Sequence, residues 1–84
     1  MPDAPRPVEV HLFAAARSAA GASVLEVSAG TLAGVLAGAV AQAPGLGQVL
    51  PRCSILVDGI AAREDAEPVP PGARVDVLPP FAGG

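Results

Sequence analysis

The chain has 84 residues, and 51% of them are hydrophobic, which is enough apolar material for the core of one small domain. Its formal net charge of −3 lacks the basic excess of nucleic-acid-binding proteins, so we expect no nucleic acid as a partner. The single cysteine, Cys53, excludes an internal disulfide and fits a reducing compartment, and we therefore expect a cytoplasmic protein. Neither a membrane-spanning stretch nor a signal peptide is evident, so no membrane partner is expected.

The first predicted elements are two strands joined by a loop. Residues 8–13 alternate apolar and polar side chains, as a strand with one buried face does. Its apolar members would face the core: Val8, Val10 and Leu12. The other three would face outward: Glu9, His11 and Phe13. Residues 14–22 are predicted to form a loop, and residues 23–28 a second strand that completes a hairpin.

One main helix is predicted after the second strand. Thr31 is a good N-cap, because its hydroxyl can accept a hydrogen bond from a backbone N–H of the first turn. Apolar residues then recur at helical spacing and form one stripe: Leu32, Val35, Leu36, Ala39 and Val40. We expect the helix to end near Gln42, since Pro44 and Gly45 do not continue a helix.

Three further strands are predicted in the second half of the chain. Residues 53–57 form the third strand, and the Asp58-Gly59 dipeptide that follows is favoured in tight hairpin turns. A short return strand begins at Ile60, and the last strand covers residues 74–78. We expect the first and last strands to lie side by side and parallel at the centre of the sheet. One helix packed across a mixed sheet of four to five strands makes an α+β domain.

The final six residues, 79–84, form the most informative segment. Its two prolines favour an extended chain, and its two glycines have no side chain, so it could enter a narrow channel. Fully extended, it would reach about 20 Å. We therefore expect a compact domain over residues 1–78, with residues 1–7 as a flexible N-terminus, and an extended tail over residues 79–84. The alternative is an ordinary frayed chain end.

Three segments resemble one known family. Residues 13–17 (FAAAR) resemble an aromatic-Ala-x-x-Arg segment. Residues 57–59 resemble a turn in which asparagine is the commoner middle residue. Residues 70–84 resemble an ending with the pattern Pro-Pro-x-x-Gly-Gly. This pattern is similar to that of the MoaD/ThiS family of small sulfur carriers, which have the β-grasp (ubiquitin-like) fold. An acidic residue usual after Gly72 is replaced here by Ala73-Arg74. The Pro-Pro-Phe-Ala lead-in is most similar to the small subunits of molybdopterin synthase.

The resemblance implies a carrier without catalytic groups of its own. An adenylating activating enzyme would adenylate the Gly84 carboxylate, and a sulfur donor protein would convert it to a thiocarboxylate. The modified forms would be a glycyl adenylate and 1-thioglycine, and no bound cofactor or metal is expected. The tail would then enter the large subunit of molybdopterin synthase, where catalysis takes place, and deliver sulfur for the molybdopterin dithiolene.

Two alternative functions would use the same tail. One is a sulfur carrier for thiamine thiazole or cysteine synthesis, although the thiamine carrier usually lacks the Pro-Pro-Phe-Ala lead-in. The other is a ubiquitin-like modifier attached through Gly84 to lysines of other proteins. The chain contains no lysine, so it cannot build lysine-linked polymers of itself, but this does not exclude single attachment.

The predicted functional residues lie in the tail and at one end of the sheet. Gly84 would carry the thiocarboxylate. The preceding tail residues would accompany it into the partner: Pro80, Phe81, Ala82 and Gly83. Phe13, Leu78 and Phe81 would form an apolar partner interface near the tail. Arg17 would either pair with a carboxylate of the partner or remain solvated, and a shifted strand register would instead place Phe13 in the core.

Cys53 and His11 are interpreted as structural residues without a functional role. Cys53 shares the parity of Ile55 and Val57, which indicates a small, buried apolar residue. A nucleophilic role would need a lowered pKa, and only Arg52 is nearby in sequence to lower it. His11 has no candidate second ligand in the sequence around it, which indicates a surface residue.

Overall fold

A computed structural model describes residues 6–80 of the chain. Within this range there are seven strands, in chain order: β1 (Val8–Leu12), β2 (Val24–Val27), β3 (Gly30–Thr31), β4 (Ser54–Val57), β5 (Ile60–Ala61), β6 (Pro68–Val69) and β7 (Arg74–Leu78). The helical elements lie between these strands: α1 (Ala14–Ala20), α2 (Leu32–Gln42) and two short 3₁₀ helices, Pro44–Gln48 and Leu50–Arg52.

Five of the strands form one mixed sheet in the order β2-β1-β7-β4-β5. β1 and β7 are parallel neighbours at its centre, and the other three pairs are antiparallel. The predicted parallel pairing of the first and last strands is therefore confirmed. β3 and β6 pair separately in a small two-stranded sheet, which the sequence pattern did not predict because each has only two residues.

The core lies between one face of this sheet and α2. The inward residues of the two central strands are almost completely buried: Val8, Val10, Leu12, Val75 and Val77. From the other side, α2 contributes three buried residues, Leu32, Val35 and Ala39, which belong to the predicted apolar stripe. Since burying one valine or leucine side chain stabilises a fold by about 1.5–3 kcal/mol, these two layers supply most of the stability.

The two ends of α2 agree with the sequence prediction. Thr31 is the N-cap, and its Oγ1 accepts a hydrogen bond of 3.1 Å from the Gly34 N–H. The helix ends at Gln42, just before Pro44 begins the first 3₁₀ helix. In residues 6–80, no helix combines the length and the apolar character needed to cross a bilayer.

The segment after β1 corrects the sequence prediction. Residues 14–20 form the helix α1, whereas a loop was predicted over residues 14–22. Five of these seven residues are alanine, the strongest helix former, and Gly21 ends the helix at φ 73°, donating its N–H to the Arg17 carbonyl at 2.9 Å. No side chain caps the start of the helix, and a run of alanines has no apolar periodicity, so the usual signals were absent.

Candidate functional site

The last strand of the domain, β7, is central in the sheet and ends at Leu78. β1 and β7 run in the same direction, so both end at the same edge, and the Phe13 N–H donates to the Val77 carbonyl there at 3.3 Å. Pro79 follows β7 and is buried, and Pro80 is exposed. We call residues 78–80 the tail root. The predicted tail residues Phe81, Ala82, Gly83 and Gly84 lie outside the part of the chain that the structure describes.

A cleft of about 220 Å³ lies beside the tail root. Its lining comes from α1, from the segment of the two 3₁₀ helices and from the root itself: Ala15, Gln48, Val49, Arg52, Pro79 and Pro80. These elements meet because α1 packs against the first 3₁₀ helix, where Gly45 lets the two backbones approach closely. No sequence motif places Arg52 at the tail. Only the packing of the 3₁₀ helices reveals that position.

Phe13 and Leu78 are neighbours on the outer face of the sheet, as the sequence predicted. Leu12 pairs with Val77 in the β1–β7 register, and Phe13 continues the extended backbone of β1 at φ −121° and ψ 151°. Both side chains are half-buried and not fully exposed. The alternative, in which a shifted register places Phe13 in the core, therefore does not occur.

Two more apolar residues share the outer face. Leu56 is half-buried on β4, and Val24 on β2 is 41% exposed. We define the outer patch by its four apolar members: Phe13, Val24, Leu56 and Leu78. Leu56 and Val24 were not predicted to lie on this surface, although their alternation with the inward Ile55 and Leu25 was a usable signal.

Charged side chains occupy the outer face next to this patch. His11 pairs with Val24 and with Asp76 in the register, and its Nε2 lies 3.1 Å from Glu9 Oε1. On β7, Arg74 Nε donates to Asp76 Oδ1 at 2.8 Å. The Arg74–Asp76 ion pair is near the surface, and such pairs contribute only about 0–1 kcal/mol to stability.

Arg17 lies on α1, one turn after Phe13, and is exposed to solvent. Its backbone N–H donates to the Phe13 carbonyl at 3.4 Å, and its carbonyl accepts the hydrogen bond from Gly21 that ends the helix. The backbone around Arg17 is thus held at the same edge of the sheet as the tail root. The structure places Arg17 near Phe13, exposed to solvent, and its role in a partner interface stays a prediction.

Residues 10–84 match the ThiS family. The chain belongs to this family. The match runs from the middle of β1 through the tail root to the Gly83-Gly84 ending, and it confirms the resemblance that the sequence motifs indicated. The chain is accordingly a small ubiquitin-like protein of the sulfur-carrier type. A search of curated proteins found no match.

Solved structures with the same fold include two archaeal proteins. SAMP1 from Haloferax volcanii is 26% identical, with a TM-score of 0.81 over 93% of this chain and 99% of that chain. The small archaeal modifier protein 1 from Methanosarcina acetivorans is 27% identical, with a TM-score of 0.78 over 98% of this chain and 100% of that one. These likenesses confirm the ubiquitin-like β-grasp fold.

A third similar structure is a complex of subunits 1 and 2 of the molybdopterin-converting factor from Helicobacter pylori 26695. Its matching chain is 24% identical, with a TM-score of 0.69 over 93% of this chain and 99% of that chain. At this level of identity the likeness concerns the fold alone.

Cys53 is a structural residue of this ThiS-family domain. It is half-buried, and its Sγ–H donates to the Val49 carbonyl at 3.3 Å. Burial raises the pKa of the thiol, which disfavours the thiolate that a nucleophile needs. In the part of the ThiS-family chain that the structure describes, no cluster of three or more His, Cys, Asp or Glu residues could hold a metal ion.

Proposed function

We propose that this ThiS-family chain is the small, sulfur-carrying subunit of a molybdopterin synthase. The observation that supports this most is the position of the tail root. A central strand of a rigid sheet ends at Leu78, and two prolines follow it towards the Phe-Ala-Gly-Gly ending. A partner could therefore receive the last residues without unfolding any part of the domain. The likeness to a subunit of the molybdopterin-converting factor complex is consistent with this proposal.

In this proposal Gly84 carries the chemistry. A free α-carboxyl group has a pKa of about 3.3–3.7, so it is ionised at neutral pH and resists attack by nucleophiles. Adenylation by an activating enzyme turns one carboxylate oxygen into a good leaving group. A sulfur donor protein then supplies the sulfur that forms the new carbon–sulfur bond as AMP leaves. The thiocarboxylate that results is a strong nucleophile.

The folded domain binds the partner and so positions this reactive terminus. The outer patch docks on the large subunit, with Phe13 and Leu78 as its apolar contacts nearest to the tail. Docking holds the thiocarboxylate close to the pterin precursor, and this raises its effective concentration without any further contact. Gly83 has no side chain, so the backbone could pass through a narrow channel. The catalytic groups belong to the large subunit.

The test of this proposal is sulfur transfer with and without Gly84. The chain would be charged with sulfur by its activating enzyme and mixed with the large subunit and the pterin precursor. Deletion of Gly84 should abolish the dithiolene product and leave the thermal unfolding midpoint unchanged, because Gly84 lies beyond β7. A matched truncation at the other end, removing residues 2–5, should leave transfer intact. Sulfur delivery by the chain without Gly84 would refute the proposal.

A second candidate function is protein modification through Gly84. It is favoured by the likeness to the two archaeal modifier proteins at 26% and 27% identity. In this case the activated terminus would form an isopeptide bond with a lysine of another protein, since this chain has no lysine of its own. Mass spectrometry of the chain purified from its own cells separates the two functions. A carrier shows an oxygen-to-sulfur exchange at Gly84, whereas a modifier leaves Gly-Gly remnants on other proteins.

The remaining alternative is that the chain carries sulfur for another pathway. A carrier for thiamine thiazole or cysteine synthesis would carry the same thiocarboxylate but would deliver it to a different enzyme. Sulfur transfer assays with each candidate acceptor enzyme from the same genome distinguish these pathways, because only the true acceptor should consume the thiocarboxylate in the presence of its substrate.

A further inference from the structure

The helical elements around the tail root carry arginine and no acidic residue. These elements are α1 and the two 3₁₀ helices, and their only charged side chains are those of Arg17 and Arg52. Asp76 lies on the outer face two residues before Leu78, and its carboxylate is paired with Arg74. In sequence terms, the whole stretch between Glu26 and Asp58 contains no acidic residue and a single basic one, Arg52.

The acidic residues of the described part lie near the start of β7, on the outer face of the sheet or in the loop that follows the edge strand β5. Glu9 pairs with Glu26 on β2 and with Arg74, the first residue of β7. It is therefore far from Leu78, where β7 ends. The acidic loop of residues 63–67 contacts the start of α2, whereas the end of α2 leads into the 3₁₀ helices beside the root. The end of the domain formed by α1 and the two 3₁₀ helices therefore carries only positive charges.

Arg52 occupies a distinctive position within this positive end. It is exposed and lines the cleft beside Pro79 and Pro80, where Ala15 and Val49 provide apolar walls. No hydrogen bond or ion pair within residues 6–80 engages its guanidinium group. A guanidinium group binds a carboxylate through two parallel hydrogen bonds, and apolar walls strengthen such a pair by reducing the exposure to water.

We propose that the protein that receives the tail inserts a carboxylate side chain into this cleft, where it pairs with Arg52. This inference rests on the proposed function, in which the tail enters a partner. The tail continues from Pro80, which borders the cleft, so a partner that receives the tail contacts the domain beside the cleft. Charge complementarity identifies the occupant as an aspartate or glutamate of that partner, and Arg17 extends the positive surface that steers the two proteins together.

The experiment compares charge reversals at two positions on the molecule. Arg52→Glu and Arg63→Glu change the net charge by the same amount, but Arg63 follows the edge strand β5, and β4 lies between that strand and β7. The dissociation constant and association rate would be measured for the large synthase subunit from the same genome, at low and high salt. Thermal unfolding of each variant verifies that it is folded.

Arg52→Gln should weaken binding about fivefold, the value of one favourable exposed ion pair. Arg52→Glu should weaken it on the order of tenfold or more, mainly through a slower association rate, because it also adds repulsion. Both effects should shrink at high salt, where charges are screened. Arg63→Glu should remain within about twofold of the original chain, since a charge outside the interface contributes little.

Equal binding by the Arg52→Glu and Arg63→Glu variants overturns this inference alone, provided that the original chain binds and delivers sulfur. If the original chain neither binds nor delivers sulfur, the proposed function fails and this inference fails with it. If the chain's own terminal carboxylate fills the cleft, the experiment gives a third result. Arg52→Glu would then release the tail and bind the partner as well as or better than the original chain, and that result also overturns the inference.

Discussion

Asp58 and Arg74 hold each other through two hydrogen bonds. The Asp58 N–H donates to the Arg74 carbonyl at 2.8 Å, and the Arg74 N–H donates to Asp58 Oδ1 at 2.9 Å. Asp58 and Gly59 both have positive φ, 49° and 84°, as the two central residues of a type I′ hairpin turn do. The pair therefore fixes the β4–β5 turn to the start of β7, the strand that leads to the tail root.

Asp58→Ala should destabilise the domain by about 1–2 kcal/mol. The substitution removes the acceptor of the Arg74 N–H, and alanine tolerates positive φ poorly. Asp58→Asn is the matched control, because asparagine keeps an acceptor oxygen and adopts this conformation readily. It should remain within about 0.5 kcal/mol of the original chain, as most changes that preserve the local interactions do. Urea unfolding gives both values. Equal stability of the two variants would contradict this account of the turn.

Gly45→Ala should destabilise the domain by about 1–3 kcal/mol, the usual cost of overpacking. A Cβ atom at Gly45 would lie 2.5 Å from the Ala19 carbonyl oxygen of α1, and backbone cannot move aside as a side chain can. Gly47→Ala is the control, because its Cβ would meet only the Val40 side chain at an ordinary distance of 3.5 Å. Thermal unfolding compares the two variants. A tolerated Gly45→Ala would mean that α1 packs less closely than described.

Leu78→Asp should weaken binding of the large synthase subunit by on the order of tenfold or more, since it places a charge in an apolar interface. Leu78 is half-buried in the outer patch beside the tail root. Ile60→Asp provides the control, because Ile60 is 73% exposed on the edge strand β5 and should not contact the partner. Isothermal calorimetry measures binding, and circular dichroism verifies that both variants are folded. Comparable losses in the two variants would place the interface elsewhere.

Because the Cys53 thiol is partly buried, the free energy of unfolding of the domain should fall at alkaline pH. Burial raises the pKa of its thiol in the folded state, so the unfolded chain releases the thiol proton first as the pH rises. The stability that the protonated thiol contributes is present below the unfolded pKa and is lost as the pH rises through the folded one. Urea unfolding gives the free energy of unfolding of the original chain and of Cys53→Ala. The difference between these two free energies should change between neutral and alkaline pH. A constant difference would contradict it.

Local signals explain which elements were predicted correctly. The alternation in residues 8–13 and 74–78, the Thr31 cap and the Asp58-Gly59 turn each act over a few neighbouring residues. Such signals can be read directly from the chain. Helix α1 was missed for the same reason, because its alanine run has neither periodicity nor a capping side chain. Its formation depends on Ala16 being buried against the rest of the domain.

The sequence by itself determined the strands of the sheet, the main helix and the Gly-Gly ending that points to a carrier. It also predicted that Phe13 and Leu78 would be neighbours, because the parity of two strands is enough to place them on one face. Only the tertiary structure decided that Arg52 lies beside Pro79 and Pro80. These residues are far apart in the chain, and no periodic pattern encodes the packing of a 3₁₀ helix against the end of a strand.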